Sequence, residues 1–351
     1  MTNLFLFIAG DNNLDLESEE ELNGVLRSEV GSGYRIFIEI DRYKTYISKE
    51  KARRKTKRYI VDSKGVKVFF VEEKNTGDYR ALKSFIEWGG GSCSGNNNYL
   101  ILWGHGYGWE GCAHDYSQND VLELDELKKA LKIGRKKGFK LIGFDMCQMA
   151  TIEVFYVVRN YADLIIASQN VEPPEGWEYD NLFKKQRDVL DFSKQILCGY
   201  SHQCELKGGE DFTLSMSNTV QINKFVKMFD DWCFMILKDA RLLNMFMELR
   251  RKCVDFKYNN YVDLKCFLQI ISKEGDDLFK SKSDKLFLLL DEIIIKTVNG
   301  NIYKHATGIS IYFPLKKIPQ ATLERYCKTE FTMKVKNWGS LVFEYQNRLN
   351  G

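Results

Sequence analysis

Short apolar runs alternate with helix-like segments through the first half of the chain, and this alternation constrains the fold more than any other feature. The strand candidates are Leu4–Ala9, Arg35–Ile40, Lys67–Val71, Tyr99–Trp103, Lys140–Phe144 and Leu164–Ala167. The helical stretches between them are Leu14–Leu26, Asp78–Trp88, Leu124–Lys132 and Met149–Tyr161. Because the strand candidates are apolar on both faces, they are typical of buried strands in a parallel sheet. The alternation therefore predicts a doubly wound α/β sheet.

The pattern becomes mainly helical from about Phe183 to Val298, where apolar residues recur at i, i+3 and i+4. The clearest of these helices are Ile222–Leu237, Asn244–Val254 and Ser283–Lys296. One more apolar strand is predicted over Gly308–Phe313, and a last helix over Trp338–Leu349. We therefore expect an α/β core over 1–182, a mainly helical insertion over 183–300, and a returning strand with a C-terminal helix over 301–351.

The charge balance argues against two classes of partner. The 351 residues include 51 Lys and Arg against 48 Asp and Glu, so the net charge is only +3. So small an excess gives no general attraction to nucleic acid or to a membrane surface. Seven of the ten residues from Lys49 to Arg58 are basic, but such a run is more often a solvated helix face or a hairpin. We therefore expect neither a nucleic-acid nor a membrane partner, and the oligomeric state stays open.

The nine cysteines are scattered and form no C-x-x-C pair, which is typical of reduced thiols and argues against a structural zinc site. The first residues form an apolar strand rather than a basic lead followed by a hydrophobic segment. We therefore expect a cytoplasmic protein, with the mature form of a secreted protein as the alternative. No metal site is expected.

Two segments place a reactive side chain just beyond a predicted strand. Tyr99–Trp109 carries His105 in a glycine-rich loop, and Lys140–Ala150 carries Cys147 at the start of a predicted helix. In open α/β sheets this edge is where sites form. A helix N-terminus or an imidazole favours the thiolate, and His105 is suited to take its proton or to protonate a leaving amine.

The backbone N–H groups of Gly106 and Cys147 are candidates to bind an oxyanion in such a site. Each residue also has a simpler interpretation. His105 fits an ordinary loop histidine, Cys147 fits an inert buried cysteine, and Asp145 fits the cap of the following helix. From the residues alone, these alternatives stay open.

The two segments resemble the active-site motifs of the clostripain family of cysteine peptidases, which share the caspase-like fold with gingipains, legumain and caspases. Similar segments occur in the same order along nearly the whole chain: Asp11–Leu14, Asn75–Asp78, Phe85–Trp88, Leu100–Trp109, Asp145–Ala150, Gly176–Tyr179 and Gly308–Pro314. The chain departs from the family pattern at Gly104, Met146 and Gln148. These departures bear on substrate fit more than on the chemistry.

The resemblance implies a caspase-like, mostly parallel sheet flanked by helices, with a helical insertion and a returning C-terminal strand. It also implies an endopeptidase that cleaves protein or peptide substrates after arginine and, secondarily, lysine. In that reading Cys147 is the nucleophile, His105 moves the proton, and Asp145 binds the basic P1 side chain. A guanidinium suits this role because it bonds a carboxylate bidentately.

Glu172 and Glu175 follow the strand Leu164–Ala167 and are candidates for the same S1 pocket, the alternative being solvated loop acids. The resemblance requires no cofactor. Calcium dependence is possible by this resemblance, although the sequence contains no EF-hand-like loop. Two other functions stay open: a catalytically silent binding or regulatory module, and another cysteine-dependent acyl-transfer enzyme.

Overall fold

The computed structural model describes residues 1–43, 56–91, 97–134, 138–174, 176–256, 258, 260–273 and 275–349. The strands are β1 Thr2–Gly10, β2 Tyr34–Arg42, β3 Lys57–Asp62, β4 Gly65–Phe70, β5 Asn97–Gly104, β6 Cys112–Asp115, β7 Asp120–Leu122, β8 Phe139–Met146, β9 Ala162–Ala167, β10 Thr213–Asn218, β11 Tyr261–Asp263, β12 Ile294–Asn299 and β13 Ser310–Tyr312. The helices are α1 Asp15–Arg27, α2 Tyr79–Gly91, α3 Leu124–Gly134, α4 Ile152–Val158, α5 Val189–Leu206, α6 Ile222–Lys238, α7 Ala240–Leu249, α8 Leu264–Ser272, α9 Asp277–Ile293, α10 Gln320–Cys327, α11 Glu330–Lys334 and α12 Lys336–Arg348.

A central sheet organises the fold. In the described part of the chain it has nine strands in the order β12-β10-β9-β8-β5-β1-β2-β3-β4. The strands from β9 to β2 in this order pair in parallel, and antiparallel pairs extend the sheet at both edges. This arrangement confirms the predicted α/β fold with a parallel centre.

Each central strand contributes to two cores, because successive side chains point to opposite faces of a sheet. In β1, Phe5 and Phe7 enter the core that also contains residues of α2, α3, α4 and the later helices α6 to α9. Leu4 and Leu6 enter the opposite core, which contains residues of α1 and α5. Helices thus cover both faces, which explains why the strands read as continuous apolar runs.

The segment predicted as mainly helical contributes two strands to the central sheet. β10 pairs with β9, and β12 pairs with β10 at the edge. The predicted helix Ser283–Lys296 ends earlier, at Ile293, and its chain continues directly into β12. The β-branched residues Ile294, Ile295, Thr297 and Val298 favour this extended backbone. The domain boundaries at 182 and 300 stay predictions.

The strand predicted over Gly308–Phe313 forms as β13, which pairs with β11 in a separate small sheet. It also bridges Thr151 in parallel through Ser310, so the returning chain reaches the region just beyond β8 rather than the centre of the sheet.

The predicted strand Lys67–Val71 is not buried. It forms as β4, whose residues are all exposed, because β4 is the edge strand of the β3–β4 hairpin. Lys57 and Arg58 of the basic run lie in β3 of this hairpin, and residues 49–55 lie outside the described residues. Among the described helices, none combines the length and apolar character that a membrane crossing needs.

Candidate active site

His105 and Cys147 lie side by side at the carboxyl edge of the sheet. β5 and β8 are parallel neighbours, and their last pairs are Trp103 with Asp145 and Gly104 with Met146. The next residue of each strand is the candidate histidine or cysteine. Both side chains are half-buried and line one cavity of about 330 Å³.

The loop around His105 needs glycine on both sides. Gly104 has a φ of +135°, and a Cβ there would lie 2.8 Å from the carbonyl oxygen of Ala9. A Cβ on Gly106 would clash with the carbonyl oxygen of Cys147 and would lie 2.9 Å from the Cβ of Met146. The absence of side chains therefore brings the backbone of the His105 loop against that of Cys147.

Asn13 orients the imidazole of His105. Its Oδ1 accepts from Nε2 of His105 at 2.8 Å and from the hydroxyl of Tyr116 at 2.7 Å. The ring of Tyr116 lies nearly parallel to that of His105, with the centroids 6.3 Å apart. An acceptor at Nε2 holds the proton of a neutral ring on that nitrogen and leaves Nδ1 unprotonated. Burial, with His114 nearby, lowers the pKa of His105, so the ring is neutral at pH 7.

Cys147 lies in a turn and not at the start of a helix, so that prediction is wrong. Gln148, with a φ of +58°, donates its N–H to the carbonyl of Asn170 at 2.9 Å. Ala150 donates to the carbonyl of Ser168 at 2.8 Å. These bonds hold the turn and the residues after it against the loop after β9, and α4 begins at Ile152 behind its cap.

The thiol of Cys147 has a backbone donor beside it. The N–H of Glu172 points at Sγ over 3.3 Å. A donor at this position stabilises the charged form of a sulfur. The loop after β9, rather than a helix dipole, therefore supplies the nearest backbone partner of the thiol.

Asp145 and Glu172 lie at the floor of the same cavity. They are 4% and 6% exposed, so neither is a solvated loop acid. Asp145 does not cap a helix: its Oδ2 accepts from the N–H of Trp177 at 3.0 Å and from the hydroxyl of Tyr179 at 3.1 Å. Glu172 accepts from the indole N–H of Trp177 at 3.1 Å. Glu175 lies outside the described residues.

The buried acids interact: a side-chain hydrogen bond joins Asp145 and Glu172, and one of the two carboxyls holds the proton of that bond. Burial raises the pKa of Asp145 to about 7. Burial and the charge of Asp145 raise the pKa of Glu172 well above its usual value, and Glu21 on α1 is raised for the same two reasons. In the described part of the chain, no Lys or Arg forms an ion pair with these three carboxyls. The pocket floor is acidic and lacks a counter-charge there.

Gly176 keeps the approach to this floor open. It has a φ of +63°, and a Cβ there would lie 2.9 Å from Oδ2 of Asp145 and 2.8 Å from Nε1 of Trp103. Sequence reasoning did not assign site roles to Gly176, Asn13 or Glu21. The signal for the first two was present, because both lie in segments that resemble family motifs.

The two predicted oxyanion donors are the backbone N–H groups of Gly106 and Cys147. The N–H groups of Tyr107 and Ala113 are used in the bridge beside Gly106, donating to Gly111 and His105 at 2.9 Å each. The N–H of Gly106 donates to no group in the described chain. The role of the Cys147 N–H stays a prediction.

Solved structures with the same architecture define the class of the fold. The chain superposes on a secreted C11 cysteine protease from Bacteroides thetaiotaomicron, in complex with an irreversible peptide inhibitor, with a TM-score of 0.75 and 18% identity over 97% of this chain and 99% of that one. An inactive zymogen C11 protease from Parabacteroides distasonis matches with a TM-score of 0.72 and 19% identity over 95% and 97% of the two chains. The fold is therefore the caspase-like α/β fold of these proteases.

The family follows from the sequence. The model of the clostripain family, Peptidase C11, matches residues 6–341, so the chain belongs to the clostripain family of cysteine peptidases. Clostripain of Hathewaya histolytica is 29% identical over 133 residues, which are 32% of this chain and 25% of that protein. The match thus spans about a quarter of the length of that relative.

The comparisons correct the expected compartment. The expectation of a cytoplasmic protein is wrong, because two similar structures are those of secreted proteases from Bacteroides thetaiotaomicron. The cysteine pattern misled because Cys112, Cys204, Cys233 and Cys253 are buried. Buried thiols are inert whatever the redox state of the compartment, so their number and spacing carry little information about it.

Proposed function

We propose that the protein is an endopeptidase that cleaves after arginine, and secondarily lysine, with Cys147 as nucleophile and His105 as the proton-transfer group. The observation that supports this most is the shared cavity: Cys147 and His105 line its rim, and the buried carboxyls of Asp145 and Glu172 line its floor. A substrate whose P1 side chain reaches the floor carries its scissile carbonyl to the thiol.

The acidic floor selects the P1 side chain by charge. A guanidinium or an ammonium supplies the counter-charge that Asp145 and Glu172 lack in the described chain. Because burial raises the pKa of Asp145 to about 7, the floor holds a proton over part of the neutral range, and a cationic side chain displaces it. Arginine is favoured over lysine because its planar fork bonds a carboxylate through two parallel hydrogen bonds.

The reaction proceeds by acyl transfer. Sγ of Cys147 attacks the scissile carbonyl carbon, and the thiol proton passes to the neutral ring of His105. The N–H groups of Gly106 and Cys147 bind the oxyanion of the tetrahedral intermediate. When the C–N bond breaks, His105 gives the proton to the leaving amine, and a thioester remains on Cys147. Water then attacks the thioester, giving its proton to His105, which returns it to the departing sulfur.

Asn13 is the positioning residue of this mechanism. Its hydrogen bond to Nε2 fixes the tautomer in which Nδ1 is free to take the thiol proton. The arrangement is thus a nucleophile, a base and an orienting amide, the same roles that recur in unrelated cysteine peptidases.

Hydrolysis of fluorogenic peptides with Arg, Lys, Asp, Asn or Leu at P1, with and without calcium, tests the proposal. We expect cleavage of the Arg and Lys peptides by the wild type, and none by Cys147→Ala or His105→Ala. Cys198→Ala is the matched control, because Cys198 is an exposed thiol on α5 outside the cavity, and this variant should keep full activity. Cleavage that survives in Cys147→Ala, or a preference for Asp or Leu at P1, would contradict the proposal.

A further inference from the structure

The β4 edge of the central sheet carries an apolar stripe. Val66, Val68 and Phe70 alternate along β4 and are 47%, 46% and 63% exposed. On the same face of β3, Val61 lies opposite Val66 and Tyr59 lies opposite Val68. Val61 and Tyr59 are buried in the core that contains residues of α1. The stripe therefore continues this core outward to a place where it is open to solvent.

The same three residues present the free main-chain groups of the edge. Val71, one residue beyond β4, donates its N–H to the carbonyl of Thr56 at 3.0 Å. Along an antiparallel ladder, bonded pairs alternate with non-bonded pairs. Phe70, Val68 and Val66 therefore turn their N–H and C=O groups away from β3. In the described part of the chain, no strand pairs with β4 on that side.

The two edges of the sheet differ in how they are protected. Folded proteins protect an edge strand with charged residues, proline or a bulge, because a straight apolar edge pairs with other chains. At the other edge, the pairing of β12 with β10 shifts register between Met216 and Ser217. The six residues of β4 pair with β3 without a shift, and they include one charge, Lys67, and no proline. β4 is therefore the edge that another strand can extend.

The sequence of β4 is complementary to itself. A two-fold axis perpendicular to the sheet at Val68 places Val68 opposite its own copy and Val66 opposite Phe70 of the second copy. All these residues lie on one face and turn their free main-chain groups to the edge, so both the apolar contacts and the hydrogen bonds of an antiparallel pair can form. On the other face, Lys67 lies opposite Phe69 of the second copy, so like charges do not face each other.

The charges at the ends of the strand favour the same register. Lys64 precedes β4 by one residue, Glu72 follows it by two, and both are exposed. The register centred on Val68 brings Lys64 opposite Glu72 of the second copy, and the two-fold axis repeats this pair at the other end. Opposite charges on facing positions stabilise a strand pair.

We propose that β4 binds β4 of a second copy of this chain as an antiparallel strand pair centred on Val68. The pairing joins the two central sheets and buries each apolar stripe beside its copy. Because each edge is satisfied by the same edge of the other copy, the assembly closes as a two-fold dimer and does not grow into a fibre. The inference does not depend on the peptidase function, since β1, β2 and β3 separate β4 from β5 and β8 in the sheet.

Sedimentation of the full chain over a range of micromolar concentrations tests the dimer, with Cys147→Ala as the background to prevent self-digestion. We expect a reversible equilibrium of monomer and dimer, because one strand pair is a small interface. Val68→Lys should weaken the dimer by about tenfold or more, since it removes the apolar pair and places two like charges opposite each other at the axis.

Val220→Lys is the matched control, because Val220 is 79% exposed between β10 and α6 and receives the same substitution. It should keep the dimer of the parent chain. A parent chain that stays monomeric at every concentration, or equal dimerisation of Val68→Lys and Val220→Lys, would overturn the proposal.

Cysteine substitutions test the register, and they decide the matter if Val68→Lys fails to fold. In Val68→Cys the two thiols meet at the axis, where the Cα atoms of a bonded pair are about 5.5 Å apart, within the span of a disulfide of roughly 4.4–6.8 Å. Val66→Cys is the control, because its copy lies four residues further along the strand, at roughly 13 Å. Under mild oxidation, linked dimers should form at least about tenfold faster in Val68→Cys. Equal rates in the two variants would overturn the proposed pairing.

Discussion

Replacement of Asp145 by asparagine tests the origin of the P1 preference. The amide keeps an acceptor for the N–H of Trp177 and the hydroxyl of Tyr179, so the pocket walls stay in place. It removes one of the two carboxyls on the pocket floor. Asp145→Asn should therefore change charge selection without changing the position of Cys147.

The expected magnitude follows from the bond that is lost. A hydrogen bond between charged groups contributes about 1.5–3 kcal/mol, which is about tenfold to hundredfold in kcat/KM. Because Glu172 remains in the floor, we expect the lower end of this range for Arg peptides. Peptides with citrulline at P1, which has the shape of arginine without its charge, should lose less than about threefold, since they make only neutral hydrogen bonds.

The pH profile gives a second readout. Because burial raises the pKa of Asp145 from 3.8 to about 7, the carboxyl is protonated below that pH and cannot attract a cation. For the wild type, kcat/KM with Arg peptides should fall as the pH drops through about 7. This limb should be weaker with citrulline peptides and in Asp145→Asn.

The thermal stability of Asp145→Asn shows whether a change in its activity comes from misfolding. The pKa of Asp145 is higher in the folded protein than in the unfolded chain, so its ionisation destabilises the folded protein. This loss of stability develops as the pH rises from 3.8 to about 7. Asp145→Asn removes this loss, so at pH 8 its thermal midpoint should equal or exceed that of the wild type. A folded Asp145→Asn that keeps the wild-type ratio of Arg to citrulline cleavage would contradict the role of Asp145 in charge selection.

Three further predictions concern the catalytic groups. Asn13→Ala should lower kcat by up to about tenfold with little change in KM, because it removes the hydrogen bond that orients His105; steady-state kinetics measure the split, and Asn13→Gln should not restore the wild-type rate. Gly106→Ala should abolish peptide cleavage, since its Cβ clashes with the carbonyl of Cys147. Gly90→Ala is the control and should keep cleavage, because a Cβ there meets nothing within 4 Å. With Leu peptides, the acid limb of kcat/KM should lie below pH 6.5, because burial lowers the pKa of His105 and the ring stays neutral until that lower pH.

The sequence predicted the parts of the fold that depend on local pattern. β1, β5 and β8 carry apolar residues on both faces, and this signal needs no knowledge of the neighbours. The same strands predicted where His105 and Cys147 lie, because each residue directly follows one of them. β10 and β12 were missed because β10 is rich in Ser and Thr, whose hydroxyls are buried by contacts such as Ser215 to the carbonyl of Gly308 at 2.7 Å.

The features of the site that sequence missed depend on contacts between distant segments. Cys147 was expected at a helix start, but bonds to the carbonyls of Asn170 and Ser168 hold a turn there, and the helix begins only at Ile152. Glu172 is buried because Trp177 folds over it, which no local pattern reveals.

Labelling with irreversible, thiol-reactive peptides reports the nucleophile and the S1 pocket in one measurement. Two probes that differ only in Arg or Leu at P1 would be reacted with the protein, and the modified cysteine identified by mass spectrometry of peptides. We expect one label per chain, on Cys147, formed faster with the Arg probe and slowed in Asp145→Asn. Labelling at equal rates by both probes, or spread over the exposed cysteines such as Cys198, would contradict it.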